Sequence, residues 1–220
     1  MASIHDALGR LWNAPDEVRM LQQDGRWFTW GEMRGLVETL DRELTAAGAG
    51  PGARVAVVLE NRMESVAALI TLLRSDRILV TLSPLQPADR LAADLNAAAP
   101  GFLLASRDFL DDTAFGATAT QSGATVLAVD GSDVAVFAKA TIEPRTGDPG
   151  VLIEMLTSGT TGPAKRIPLR RKQMEASLSA ALAINPLAAE VHAALARLAL
   201  QRYDLDAAKR SIERALEIRP

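Results

Sequence analysis

VLIEMLTSGTTGPAK, residues Val151 to Lys165, decides how the rest of the chain is read. Val151 to Leu156 is a short apolar run with the β-branched and aliphatic residues of a strand. It breaks at once into Thr157, Ser158, Gly159, Thr160, Thr161 and Gly162. A strand that delivers a loop rich in glycine and hydroxyls can turn successive backbone N–H groups toward one anion, and Lys165 adds a fixed positive charge at its far end. The ligand class this implies is a polyphosphate. Gly159 to Lys165 lacks Walker A spacing and has no Ser or Thr after the lysine, which excludes that nucleotide-binding class.

Upstream, short apolar runs alternate with helical patterns. Asp24-Gly25 marks a hairpin turn between Val18–Leu21 and Trp27–Phe28. Thr29 and Glu32 have capping-box spacing and open an amphipathic helix, with Gly48 placed to end it. Val55–Leu59 reads as a strand, then a helix from Arg62 to Leu73 capped by Asn61, then a strand at Ile78–Leu82. Pro87–Ala97 reads as a helix with proline at its first position, and Phe102–Ala105 and Thr125–Val129 as strands. Residues from Asp130 to Gly150 read as surface loop. Repeated strand–helix–strand units imply an α/β fold, a mostly parallel sheet flanked by helices, because crossovers between parallel strands need about a dozen residues. Ligands of such sheets bind beyond the carboxyl ends of the strands.

Composition narrows the function classes. The 220-residue chain is 48% hydrophobic, enough for a buried core, and carries a formal charge of −3, which disfavours nucleic acid as partner. It has no cysteine and two distant histidines, His5 and His192, so no thiolate or histidine metal site is expected. Val66 to Leu73 is the longest apolar stretch, too short to span a bilayer, and the first residues lack a signal pattern, so no membrane span and cytoplasmic residence are expected. Trp12, Trp27 and Trp30 read as packing residues. Arg166, Arg170, Arg171 and Lys172 read as a solvated helix start, with attraction for phosphates as the alternative.

Beyond its glycines, TSGTTGPAK closely resembles the phosphate-binding signature of the adenylate-forming synthetases, which include acyl-CoA synthetases and peptide-synthetase adenylation domains. Phe28-Thr29-Trp30 before a helix, Val55 to Asn61 before another, and Val80 to Pro84 followed by Arg90-Leu91 extend the resemblance over about Ser3 to Lys172. It implies that Thr157, Ser158, Gly159, Thr160, Thr161, Gly162 and Lys165 contact the β- and γ-phosphates of ATP, with Mg2+, while a substrate carboxylate attacks the α-phosphorus. Pro163, Ala164 and Arg166 depart from the family's usual order around the lysine, and Asp76 stands where the family generally has glycine. No candidate for the family's adenine-stacking aromatic, ribose-binding aspartate or catalytic lysine is found, so no catalytic residue is assigned. A carboxylic acid substrate is expected only if the site is completed.

After Pro168 glycine disappears and a repeat begins. Ser177, Leu178, Ala181, Leu182, Ile184 and Pro186 recur as Ser211, Ile212, Ala215, Leu216, Ile218 and Pro220, an offset of 34 residues. That period resembles the tetratricopeptide repeat. The division expected is 1–172, a partial amino-terminal ligase subdomain, and 173–220, an all-α helical hairpin of one full repeat and a preceding helix. Two functions are open at this point: a fragment of an ATP-dependent ligase, or a non-catalytic module that self-associates or binds a partner protein through the repeat helices.

Overall fold

In the computed structural model, residues 12–112, 114–144, 146–156, 165–184, 192, 195, 196 and 204–218 are described. Pro15–Leu169 is one compact unit, and Met1–Ala14 with Arg170–Pro220 is another.

The first unit begins with an antiparallel hairpin, β1 (Arg19–Gln23) and β2 (Arg26–Thr29). Its turn places Asp24 at φ 51° and Gly25 at φ 79°, the left-handed pair that favours the right-twisted hairpin. Helix α1 (Trp30–Ala46) follows directly. Thr29 accepts from the Glu32 N–H, and the Glu32 side chain accepts from the Thr29 N–H at 2.8 Å, so the capping box read from the sequence is formed. Trp30, Met33, Leu36, Val37, Leu40 and Leu44 are buried along one face of this helix. Trp27, by contrast, lies on the open side of the hairpin, with the Arg19 guanidinium 5.6 Å from its ring centre.

The remaining strands form one seven-stranded sheet in the order β7-β6-β5-β3-β4-β8-β9. They are β3 (Arg54–Val58), β4 (Ile78–Leu82), β5 (Phe102–Ser106), β6 (Thr125–Asp130), β7 (Asp133–Ala138), β8 (Val151–Leu156) and β9 (Arg166–Arg170). β3, β4, β5, β6 and β8 pair in parallel, and β7 runs antiparallel along one edge. Helices α2 (Met63–Arg74), α3 (Ala88–Ala98), α4 (Arg107–Asp112) and α5 (Phe115–Gln121) make the connections. Ala56, Val58, Val80, Leu82, Leu103 and Ala105 pack beneath Leu91 and Leu95 of α3 and Phe115 of α5. Alternate residues Val55, Val57, Leu79 and Leu104 are buried too, since α1 and α2 cover the opposite face. Burial on both faces is why these strands read as unbroken apolar runs.

Several boundaries and elements differ from the sequence reading. Pro87 is the cap of α3 rather than its first helical residue, and Arg62, not Asn61, is the cap of α2. Asp133–Ala138, read as loop, is a strand. An edge strand buries little, so its exposed Val136 and neighbouring Gly131 gave it no strand-like context. Arg166–Arg170, read as a helix start, is strand β9, whose Pro168 is the sort of residue confined to edges. Helices α4 and α5 are short and were not read at all. The peptide of Leu110 approaches so near that a Cβ on Gly116 would lie 2.1 Å from its oxygen, and Phe109 meets Phe115 edge-on at 5.7 Å.

In the second unit, α6 (Arg171–Ile184) opens with the Arg170 N–H donating to Gln173 Oε1 at 2.7 Å. Helix α7 (Leu205–Ile218) opens with the Ala207 N–H donating to Asp204 Oδ1 at 3.0 Å, and it buries Ala208 and Ala215. Residues 185–191, 193–194 and 197–203, part of the repeat reading, lie outside the described residues.

Ala99 ends α3 in the left-handed region at φ 42° with an exposed side chain. That conformation costs an L-residue about 1 kcal/mol and glycine little. Ala99→Gly is therefore expected to raise the unfolding free energy by about 1 kcal/mol in a urea titration.

Candidate functional site at the carboxyl edge of the sheet

Strand β8 is aligned by its pairing with β4, Ile153 opposite Leu79 and Glu154 opposite Val80. Because the pairing is parallel, Leu156 ends at the same edge as Val58, Leu82 and Ser106. The segment after Leu156 therefore leaves from the ligand-binding edge of the sheet. Thr157, Ser158, Gly159, Thr160, Thr161 and Gly162 lie outside the described residues. Of the residues assigned to phosphate contact, Lys165 is described, exposed and immediately before β9.

Both stems of that segment carry charge held by neighbouring elements, which the sequence reading missed. Arg54, at the start of β3, donates through Nε to Glu154 Oε1 at 2.9 Å and through Nη2 to Oε2 at 2.7 Å. Its Nη1 donates to the Ala98 carbonyl at 2.8 Å, at the negative end of α3. One guanidinium thus ties three elements, and the two side chains are only 15% and 13% exposed. The available signal was Glu154 itself, since a carboxylate inside an apolar parallel strand requires a cation. On the other stem, Arg166 Nη2 donates to the Asp94 carbonyl of α3 at 3.3 Å. Burial pulls the Arg166 guanidinium below its usual range, while Glu154 raises it, Arg54 lowers it and Asp94 raises it.

A second charged group lies where the strand order reverses. β3 leads to β4 on one side and the chain then crosses to β5 on the other, so the switch point falls between β3 and β5. Just beyond it, Arg62 donates to Asp108 Oδ2 at 3.0 Å and faces Glu64 at 3.5 Å. Burial alone would lower the Arg62 pKa, but the Asp108 hydrogen bond and the charges of Glu64 and Glu60 outweigh it and raise the value. The crevice beneath, between Val57 and Leu104, is closed to a cavity of about 10 Å³, room for one water. Among the described residues no three His, Asp or Glu side chains converge as a metal-holding group, and no helix is long and apolar enough to cross a membrane.

A mostly parallel sheet with helices on both faces and a Gly- and Thr-rich segment following the carboxyl end of β8 is the architecture of an α/β ligand-binding domain. Residues 11–199 match the model of the AMP-binding enzyme family, and the chain belongs to that family. Among curated proteins it is similar to malformin synthetase mlfA of Aspergillus sclerotiicarbonarius, 31% identical over 170 residues, 76% of this chain and 3% of that protein. The polyketide synthase-nonribosomal peptide synthetase of Aspergillus clavatus is 29% identical over 154 residues, 70% of this chain and 4% of that protein. Among solved structures, ATP-bound MatB from Rhodopseudomonas palustris shares the fold with a TM-score of 0.58 and 23% identity over 81% of this chain and 37% of that one. A putative long-chain-fatty-acid CoA ligase from the same species gives a TM-score of 0.62 at 19% identity, over 83% of this chain and 48% of that one. The chain spans about 3% of the length of the curated relatives.

Removing one partner of a buried ion pair strands the other. Arg54→Met is expected to lower the unfolding free energy by about 3 kcal/mol, and Arg54→Met with Glu154→Leu to recover most of that loss, in urea titrations of the three proteins. Equal losses in the single and double variants would show that Glu154 does not depend on Arg54.

Proposed function

We propose that this chain is the phosphate-binding part of an ATP-dependent, adenylate-forming ligase, of the type that joins a carboxylate to the α-phosphorus of ATP and releases pyrophosphate. The observation that carries the reading is where β8 ends: Leu156 lies at the carboxyl edge of a sheet that matches ATP-bound MatB in fold, and the sequence that follows, Thr157–Lys165, resembles the family's phosphate loop. In this reading Thr157, Ser158, Gly159, Thr160, Thr161, Gly162 and Lys165 hold the β- and γ-phosphates. Backbone donors and a cation aimed at that position oppose the charge that builds as pyrophosphate leaves. Mg2+ would arrive with ATP, held by the phosphate oxygens.

Binding phosphates does not by itself orient the α-phosphorus toward a carboxylate, and orientation supplies much of the rate in such reactions. The chain alone therefore binds ATP weakly and does not turn over; the acid substrate would be selected by parts of the ligase outside these residues. The helices between residues 174 and 220 fit a tetratricopeptide hairpin in their 34-residue offset and in the small residues Ala208 and Ala215 buried along α7. Such a hairpin would offer a surface for self-association or a partner protein.

Calorimetric titration with MgATP tests the central reading. Weak binding is expected for the native chain, with Lys165→Ala weakening it about tenfold, the equivalent of about 1.4 kcal/mol for one charged hydrogen bond. The same affinity in both proteins would refute it.

A further inference from the structure

The two edges of the seven-stranded sheet are built differently. β9 carries Pro168 between Arg166 and Arg170, a proline and flanking charges that hinder any further strand from pairing there. β7 has neither proline nor lysine within it, Ala135 is exposed, and Val136 is 47% exposed. Its ladder with β6 is regular from Asp133 to Val136, and Phe137 is the extra residue of a bulge beyond that stretch.

The turn before β7 fixes where its free backbone groups point. Gly131 and Ser132 make a two-residue connection, so Asp130 and Asp133 form a hydrogen-bonded pair. Asp133 and Ala135 therefore turn their N–H and C=O groups toward β6, while Val134 and Val136 turn theirs outward, where the sheet ends. Val134 and Val136 stand opposite Val129 and Leu127 on the α1 face, and Ala135 stands opposite Ala128 on the α3 face.

We infer that β7 docks a second copy of this chain, edge to edge, about a two-fold axis at Ala135. Val134 of each copy pairs with Val136 of the other, which forms four hydrogen bonds and packs each exposed Val136 on a Val134. Ala135 meets its counterpart at the axis, in the close non-hydrogen-bonded pair that a small side chain suits. Charge selects this occupant. Arg107 holds its guanidinium 5.3 Å from the ring centre of Phe137, which packs on the α3 face, and Asp133 is exposed at the opposite end of the strand on that same face. Among the described residues neither Asp133 nor Arg107 enters an ion pair. The axis carries Asp133 of each copy to the Phe137 end of the other, within side-chain reach of that copy's Arg107. Both contacts form at once, the self-complementarity that a two-fold interface requires. The ladder is short, so the association is weak, and it uses none of the residues assigned to phosphate.

Analytical ultracentrifugation of the full chain at low ionic strength, from about 1 to about 100 μM, tests it. The weight-average mass should rise from that of one chain toward that of two. Val136→Lys should raise the dimer dissociation constant about tenfold or more. Asp133→Arg and Arg107→Asp should each raise it about threefold, and the two together in one chain should restore it. Leu216→Glu, at an exposed position of α7, should leave it unchanged. A monomer at every concentration overturns the proposal. So does a dimer that persists in Val136→Lys, a paired exchange that associates no better than its single variants, or loss of the dimer in Leu216→Glu, which would place the contact on the helices.

Discussion

The parallel pairing of β8 with β4 is the constraint on which the rest of the structure depends. It sets Ile153 and Glu154 opposite Leu79 and Val80, buries Val151 and Leu152 at the start of the strand, and aligns the end of β8 with those of β3, β4 and β5. Had β8 run antiparallel, Leu156 would end at the opposite edge, away from the switch point between β3 and β5. The hydrogen-bond ladder thus sets the edge of the sheet from which the Thr- and Gly-rich segment leaves.

Buried arginines hold this arrangement from outside the ladder. Arg54 joins β3, β8 and the end of α3, while Arg77, only 4% exposed, donates to the Ala49 carbonyl at 2.7 Å, to Thr45 Oγ1 at 2.8 Å and to Asp41. Arg77 therefore fastens the start of β4 to the end of α1. Guanidinium suits such joints because its fork meets a carboxylate and carbonyls together. Among the described residues Arg166 is the exception, since its Nη1 finds no hydrogen-bond partner.

Much of the architecture was legible in the sequence because it rests on local rules. The hairpin at Asp24-Gly25, the capping box of Thr29 and Glu32, the doubly buried run at Ile78–Leu82 and the apolar run at Val151–Leu156 each announce themselves within a few residues. Asp76, noted as standing in a glycine's place, does adopt the left-handed φ of 54° that explains why glycine suits that position. The strand at Asp133–Ala138 and the helices around Phe109 and Phe115 were not legible. They draw their stability from β6 and from each other, not from their own patterns.

What the sequence by itself determined is the alternation of the main strands and helices and, over residues 11–199, membership of the AMP-binding enzyme family. Tertiary structure alone decided which charges meet. Arg54 and Glu154 stand one hundred residues apart, and nothing in either neighbourhood names the other. Their pairing follows from strand order, which sets β4 between β3 and β8, and from parity, which turns both side chains to the α3 face. Sequence periodicity shows that a residue faces inward; only the closed sheet shows what it faces.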